Sequence, residues 1–361
     1  MEKMIFQVIN NYNTALGGAQ RIAIALHNAV VAEGRSSQLI GLCCEPVEPI
    51  KGAVTINSRS PYSWRVPFQL AKLLRNRARR GDIVHVHLFP AVIYVSLLRF
   101  FRLIPKCIFI YTEHSTHNRR RSKWYGRLLD QFAYAPYRVI IAISQGTANS
   151  LATWMPGLKE RVKVIFNGAK LKYSNMPEFA DQGESIRIIS AGRLHKAKNY
   201  ETALTAISLI ESDNFEYWIA GEGELREELN IGIKGLNLQH KVRLLGFVTD
   251  MESLWSQCDI FFIPSKWEGF GLSAVEAMNA GLPCIMGDVP GLKELVSANG
   301  VDGILVDPDE PQVMASELES LINDKGKRRR IGEQAHERSK IFGIEQMTNS
   351  YLELYRGLID E

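Results

Sequence analysis

The chain has 361 residues, 46% hydrophobic and 23% charged, with 28 glycines, 14 prolines and a mean hydropathy of −0.10. That length predicts two domains, and the composition excludes a disordered chain, a collagen-like repeat and a membrane-embedded body. The net charge of +4 is uneven, because residues 1–183 carry +15 and residues 184–361 carry −11. A basic first half points to phosphate-bearing or membrane-surface partners.

Short Val/Ile-rich runs alternate with helix-length periodic segments along the whole chain, which is the signature of β-α-β units in parallel sheets. In the first half the runs at 4–9, 37–42, 83–86, 107–111, 139–143 and 162–165 read as strands, and 19–33 reads as an amphipathic helix. The polar stretch Pro177 to Ser185 reads as a linker. Strands then resume at 186–190, 215–220, 242–244, 260–263, 283–286 and 303–306, with helices over 200–210, 225–234 and 312–321. The architecture this predicts is α/β: two facing Rossmann-like, doubly wound parallel-sheet domains with an interdomain cleft. Their expected limits are 1–176 and 184–342, with a C-terminal helix over 343–361 packing back toward the first domain.

Leu88 to Ile104 is the longest apolar stretch, but Pro90, Arg99 and Arg102 interrupt it, so it reads as a buried or interface-facing helix and not a membrane span. Five cysteines without C-x-x-C spacing, and no secretory signal, predict a reduced, cytoplasmic protein without disulfides or zinc. Tyr62 to Arg80 interleaves Trp64, Phe68, Leu70, Leu73 and Leu74 with six cationic side chains, a pattern suited to an anionic membrane surface. A solvated helix face is the alternative. No nucleic-acid motif is present, so nucleic acid is not an expected partner.

In doubly wound sheets ligands bind at the carboxyl ends of strands, where turns meet helix N-termini. The first such turn carries Gly17 and Gly18, which permit close approach of backbone to an anion. The richest is Ser265 to Gly281, S-K-W-E-G-F-G-L-S-A-V-E-A-M-N-A-G, directly after an apolar strand. Glu268 lies in the loop, and Glu276 lies within the helix opening near Gly271, so two carboxylates reach different ends of one ligand. The amides of Phe270, Gly271 and Leu272 form a cradle for a phosphate or hydroxyl. Arg193 and Lys198 follow the first strand of the second half, where two cations can stabilise a diphosphate leaving group without a metal. Asp307-Pro308-Asp309 imitates a D-x-D metal motif, but the proline and Glu310 make it a turn opening a helix. No metal site is expected. His85 and His87 share one strand face, and packing is the better reading for at least one of them.

Glu268 and Glu276 within E-G-F-G-L-S-A-V-E-A-M resemble the E-x7-E signature of the retaining, two-Rossmann-domain nucleotide-sugar glycosyltransferases of family 4, also called group 1. G-G-A-Q-R at 17–21, T-E-H at 112–114, I-F-N-G at 165–168, A-G-R-L at 191–194, A-G-E-G-E-L at 220–225 and G-F-V-T-D at 246–250 support it in order. The resemblance implies the GT-B fold and transfer of a sugar, with retention, from a nucleoside diphosphate sugar, commonly UDP-linked, to a hydroxyl acceptor. It implies that Glu268 contacts the donor sugar, Glu276 the ribose, and Arg193 and Lys198 the diphosphate. His114 would hold the sugar or phosphate, and Gly221, Phe247 and Val248 would border the nucleobase. Neither a metal nor another cofactor is implied. The acceptor expected is a lipid-linked saccharide of surface polysaccharide synthesis, with Arg119, Arg120 and Arg121 meeting an anionic acceptor and the enzyme peripheral on the inner face of the plasma membrane. A nucleotide-sugar epimerase and a silent nucleotide-sugar-binding protein are the alternatives.

Overall fold

The computed structural model describes residues 3–12, 17–46, 49–56, 58–173, 179–180 and 184–360. It divides into two units, Met1–Gly168 with Ile344–Glu361, and Ala169–Gly343. The first contains strands β1 (Ile5–Ile9), β2 (Ser37–Gly41), β3 (Ala53–Thr55), β4 (Ile83–His87), β5 (Ile108–Glu113), β6 (Val139–Ala142) and β7 (Val162–Val164). Its helices are α1 (Gly18–Ala32), α2 (Val66–Arg77), α3 (Ala91–Phe100), α4 (Gly126–Tyr134) and α5 (Gln145–Trp154). The second contains β8 (Ile186–Ala191), β9 (Phe215–Ala220), β10 (Val242–Gly246), β11 (Ile260–Ile263), β12 (Cys284–Gly287) and β13 (Ile304–Val306). Its helices are α6 (Tyr200–Ser208), α7 (Arg226–Gly235), α8 (Met251–Trp255), α9 (Leu272–Asn279), α10 (Pro311–Asn323) and α11 (Lys325–Ser339); α12 (Ile344–Asp360) belongs to the first unit.

Both sheets are parallel throughout, ordered β3-β2-β1-β4-β5-β6-β7 and β10-β9-β8-β11-β12-β13. The order reverses between β1 and β4 in one sheet and between β8 and β11 in the other, and these reversals are the ligand-binding crevices of doubly wound sheets. Side chains of β1 alternate between two cores. Ile5 packs with Ile22, Leu26 and Val30 of α1 and with Tyr351, Leu352 and Tyr355 of α12. Phe6 and Val8 face the opposite layer, with Leu70 and Leu74 of α2 and Val92 and Val95 of α3. Each of these buried aliphatic or aromatic side chains stabilises the fold by about 1.5–3 kcal/mol, and this packing of an apolar face, more than propensity, seats the helices.

Every strand expected from the sequence is present. The addition is β3, three half-buried residues at a sheet edge, too short for a periodic pattern. The first unit ends at Gly168, and not after residue 176, because the amide of Ala169 donates to Phe342 O at 2.9 Å and those of Lys172 and Tyr173 donate to Asn279 Oδ1, tying this segment to the second unit. No helix among the described residues is long and apolar enough to cross a membrane. Leu88 to Ile104 forms α3, which buries Val92, Val95 and Leu98 and exposes Phe100.

Candidate functional site

In the second unit three strand ends are stitched together edge to edge. The amide of Gly192, after β8, donates to Ala220 O, and that of Gly221, after β9, donates to Gly246 O at 2.7 Å. Gly221 has φ 151°, and a Cβ there would stand 1.9 Å from Gly192 O, so only glycine lets these loops touch. A Cβ on Gly223 would meet Leu194 O at 2.3 Å, and Leu194 in turn donates to Glu222 O. The A-G-R-L and A-G-E-G-E-L segments thus form one rigid rim. Asn199, in the left-handed conformation at φ 58°, ends the Lys196–Lys198 turn and donates to Pro308 O.

The crevice at the β8/β11 reversal is bridged by charge. Lys198 Nζ stands 2.5 Å from Glu268 Oε2, and both side chains are mostly buried. Glu268 Oε1 accepts from the amide of Gly269 at 3.1 Å, so the carboxylate is held at both oxygens. Behind it Gly291 packs its Cα against the loop; a Cβ there would meet Glu268 O at 2.6 Å. Phe270 is buried, edge-on to Phe342, and anchors the turn. Gly271, at φ 91°, precedes α9, whose opening amides, Leu272 and Ser273, have no acceptor within the helix. The helix buries Ala274, Val275, Ala277, Met278 and Asn279 and leaves Leu272, Ser273 and Glu276 half-exposed on one stripe, as spacings of three and four dictate. Tyr173 hydrogen-bonds Glu252 O at 2.6 Å, and its phenol is pushed up to about 12 by burial and by the charges of Glu252, Asp250 and Glu276. Tyr173 therefore sits in the field of Glu276, a neighbour 103 positions away that no local pattern reveals. Arg193 is exposed on the rim, Phe247 is 56% exposed after β10, and Val248 beside it is half-buried.

Asp307, Pro308 and Asp309 form a turn: Asp307 Oδ1 accepts from the amide of Asp309, and Asp309 pairs with Lys266. Among the described residues no group of three or more His, Cys, Asp or Glu is arranged to hold a metal.

In the first unit Gly17 precedes α1 in extended backbone, and Gly18 is its first residue. Among the described residues a Cβ on Gly17 would meet Gln20 Oε1 at 3.5 Å, an ordinary van der Waals distance. His114 lies just beyond β5, beside the β1/β4 reversal, with Nε2 3.1 Å from His87 Nδ1. Its imidazole is held down at about 3 by burial.

Residues 174–338 match the family described as glycosyl transferases group 1, and residues 16–173 match glycosyltransferase family 4. The chain belongs to the group 1 glycosyltransferases. An uncharacterised glycosyltransferase of Methanocaldococcus jannaschii is 31% identical over 206 residues; the match spans 53% of this chain and 53% of that relative's length. A Campylobacter jejuni N-acetylgalactosaminyltransferase, whose name gives a diphospho-undecaprenol-linked saccharide as its substrate, is 25% identical over 94% of both chains. Anabaena HepE, solved with UDP and glucose, superposes with a TM-score of 0.82 at 19% identity, covering 99% of this chain and 100% of its own, and so shares the GT-B fold.

Two arginines of the 119–121 run make ion pairs within the first unit. Arg120 pairs with Asp130 at 3.0 Å and lies over the Phe89 ring; Arg121 pairs with Glu113 at 3.4 Å and donates to Ser150 Oγ. Both arginines pair with acids of their own unit, because Glu113 ends β5 and Asp130 faces in from α4. The Arg119 side chain lies outside the described residues. The amphipathic segment is corrected in part: Leu70 and Leu74 of α2 are buried in the core, which leaves Trp64 (71% exposed) and Phe68 (65%) as the outward apolar groups beside exposed Arg75, Arg77, Arg79 and Arg80.

Proposed function

We propose that this glycosyltransferase moves a sugar from a nucleoside diphosphate sugar, with UDP as the nucleotide, to a hydroxyl of a lipid-linked saccharide, with retention and without a metal. The observation that carries this reading is the Lys198–Glu268 pair in the β8/β11 crevice, with Glu276 on the half-open stripe of α9 beyond it. Lys198 and exposed Arg193 supply the positive charge that a departing diphosphate needs, with the opening amides of α9 adding donors to its oxygens. Glu268 is oriented by Gly269 and Lys198 to accept from sugar hydroxyls, and Glu276 accepts from the ribose. Gly221, Phe247 and Val248 border the base. His114 contacts the donor sugar, and the Gly17–Gly18 turn allows the donor close to backbone. Neither glutamate acts as a nucleophile; the leaving phosphate oxygen takes the acceptor proton on the same face, so catalysis rests on positioning and charge stabilisation.

The lipid-linked acceptor is supported by the Campylobacter relative's substrate and by the basic, aromatic exposed face of α2, which suits peripheral attachment to an anionic membrane. A panel of nucleoside diphosphate sugars tested for protection against thermal unfolding examines the donor half directly. A UDP-sugar raising the melting temperature, and losing that effect in Glu276→Ala, is the expected result; protection by none of them contradicts the reading.

A further inference from the structure

Behind His114 a chain of buried side chains runs through the first unit to α12. His87 Nδ1 is 3.1 Å from His114 Nε2, and His87 Nε2 is 2.9 Å from Gln7 Oε1. Gln7 Nε2 donates to the Tyr355 hydroxyl at 2.9 Å, which lies 2.6 Å from His85 Nδ1. His85 Nε2 is 2.7 Å from Thr112 Oγ1, where the chain reaches the Tyr351 hydroxyl. At its other end His114 Nδ1 is buried, with no hydrogen-bond partner among the described residues.

A neutral imidazole has one N–H and one lone pair, so the direction of the Gln7–His87 link fixes that of the His87–His114 link. All three rings are neutral, because burial holds His85, His87 and His114 below the ordinary histidine value and the His85 and His87 ring centroids are only 4.1 Å apart. Gln7 sets the direction. With its nitrogen on Tyr355 and its oxygen on His87, it obliges His87 to donate from Nε2 and to accept at Nδ1. His114 must then donate from Nε2, which leaves Nδ1 as a bare lone pair. On the far side Tyr355 accepts from Gln7; with its own hydrogen on His85 Nδ1, the His85 Nε2–H goes to Thr112. Turning the Gln7 amide over would reverse the His87 and His114 links and place an N–H at His114 Nδ1.

We infer that Gln7 and Tyr355 are positioning residues that hold His114 as the Nε2–H tautomer, so that its Nδ1 accepts a hydrogen bond from a substrate hydroxyl and rejects a phosphate oxygen. The inference rests on the reading of His114 as a donor contact. It narrows that contact from sugar or phosphate to a sugar hydroxyl, since a lone pair facing a phosphate oxygen is repulsive.

The test is a long-range proton–nitrogen NMR spectrum of the full chain labelled in histidine nitrogen, which separates protonated from bare ring nitrogens. The eight histidines are assigned by single His→Gln variants, including His85→Gln, His87→Gln and His114→Gln. In the free protein His114 is expected to show a protonated Nε2 and a bare Nδ1. A protonated Nδ1, or both forms averaged, overturns the inference. Tyr355→Phe and Gln7→Met each remove a link that orients the chain, and either is expected to mix the two His114 tautomers and to lower donor kcat/KM roughly tenfold. A single unchanged Nε2–H tautomer in a folded variant overturns the role of that residue. Because the tautomer is read without substrate, failure of the sugar-transfer reading would leave the spectrum intact, whereas failure of this inference shows in the spectrum whatever the enzyme transfers.

Discussion

Lys198 and Glu268, 70 residues apart in the chain, meet as an ion pair across the point where the strand order of the second sheet reverses. Each partner holds the other in place: the lysine reaches the carboxylate from the turn after β8, and the carboxylate is fixed in addition by the Gly269 amide. Lys198→Ala removes both a cation for the leaving diphosphate and the partner of a mostly buried carboxylate. Turnover is expected to fall about 100-fold or more, with the larger effect on kcat. Steady-state kinetics of the purified variant check this; an unchanged kcat contradicts it.

Glu276→Ala should weaken donor use while the fold survives, because Glu276 is on the half-open stripe of α9 and not in its packed face. Losing a charged acceptor for two ribose hydroxyls is expected to cost about 10- to 100-fold in donor kcat/KM. Kinetics with a parallel thermal melt test this, and parental kinetics would rule out the assignment.

The strands were readable because their Val and Ile runs are buried on both faces, as a parallel sheet requires. E-x7-E was readable because loop, glycine turn and helix are contiguous. The Lys198–Glu268 contact was not, since it depends on β8 lying beside β11, a fact of topology that neither segment encodes. The ion pairs of Arg120 and Arg121 were hidden for the same reason: their acids, Asp130 and Glu113, sit on other elements. The burial of Gln7, His85 and His87 under Tyr355 likewise required α12 to return to the first unit.

Acid should destabilise the protein early. Burial holds His27, His85, His87 and His114 below 6.5 in the folded state. The unfolded chain binds protons as pH falls through about 6.5 that native His85, His87 and His114 do not, so this stability is present above that value and is lost below it. Glu113, raised by burial, works in the opposite sense and offsets at most one proton. A net of about two protons corresponds to about 3 kcal/mol per pH unit. Urea unfolding at about pH 7, 6 and 5 measures this slope; a flat response contradicts it, and His87→Gln should remove about one proton of it.

Membrane attachment should be electrostatic and peripheral. Exposed Arg75, Arg77, Arg79 and Arg80 each contribute about 1 kcal/mol near an anionic surface, screened by salt, while Trp64 and Phe68 stand outward beside them. Vesicles with anionic lipid should sediment the protein at low salt and release it at high salt. The quadruple Arg→Gln variant should sediment less and keep its turnover on a soluble acceptor analogue. Sedimentation equal to the parent would make α2 a solvated face.

The central claim is metal-independent sugar transfer from a nucleotide donor held by Lys198, Glu268 and Glu276. It is tested most directly by following nucleoside diphosphate release, with excess chelator, in the presence and absence of an undecaprenyl-diphosphate-linked saccharide. Release only when donor and acceptor are both present, with the sugar on the acceptor in the donor's anomeric configuration, is the predicted result. Release without acceptor, isomerisation of the sugar, or activity that chelator abolishes and manganese or magnesium restores would contradict it.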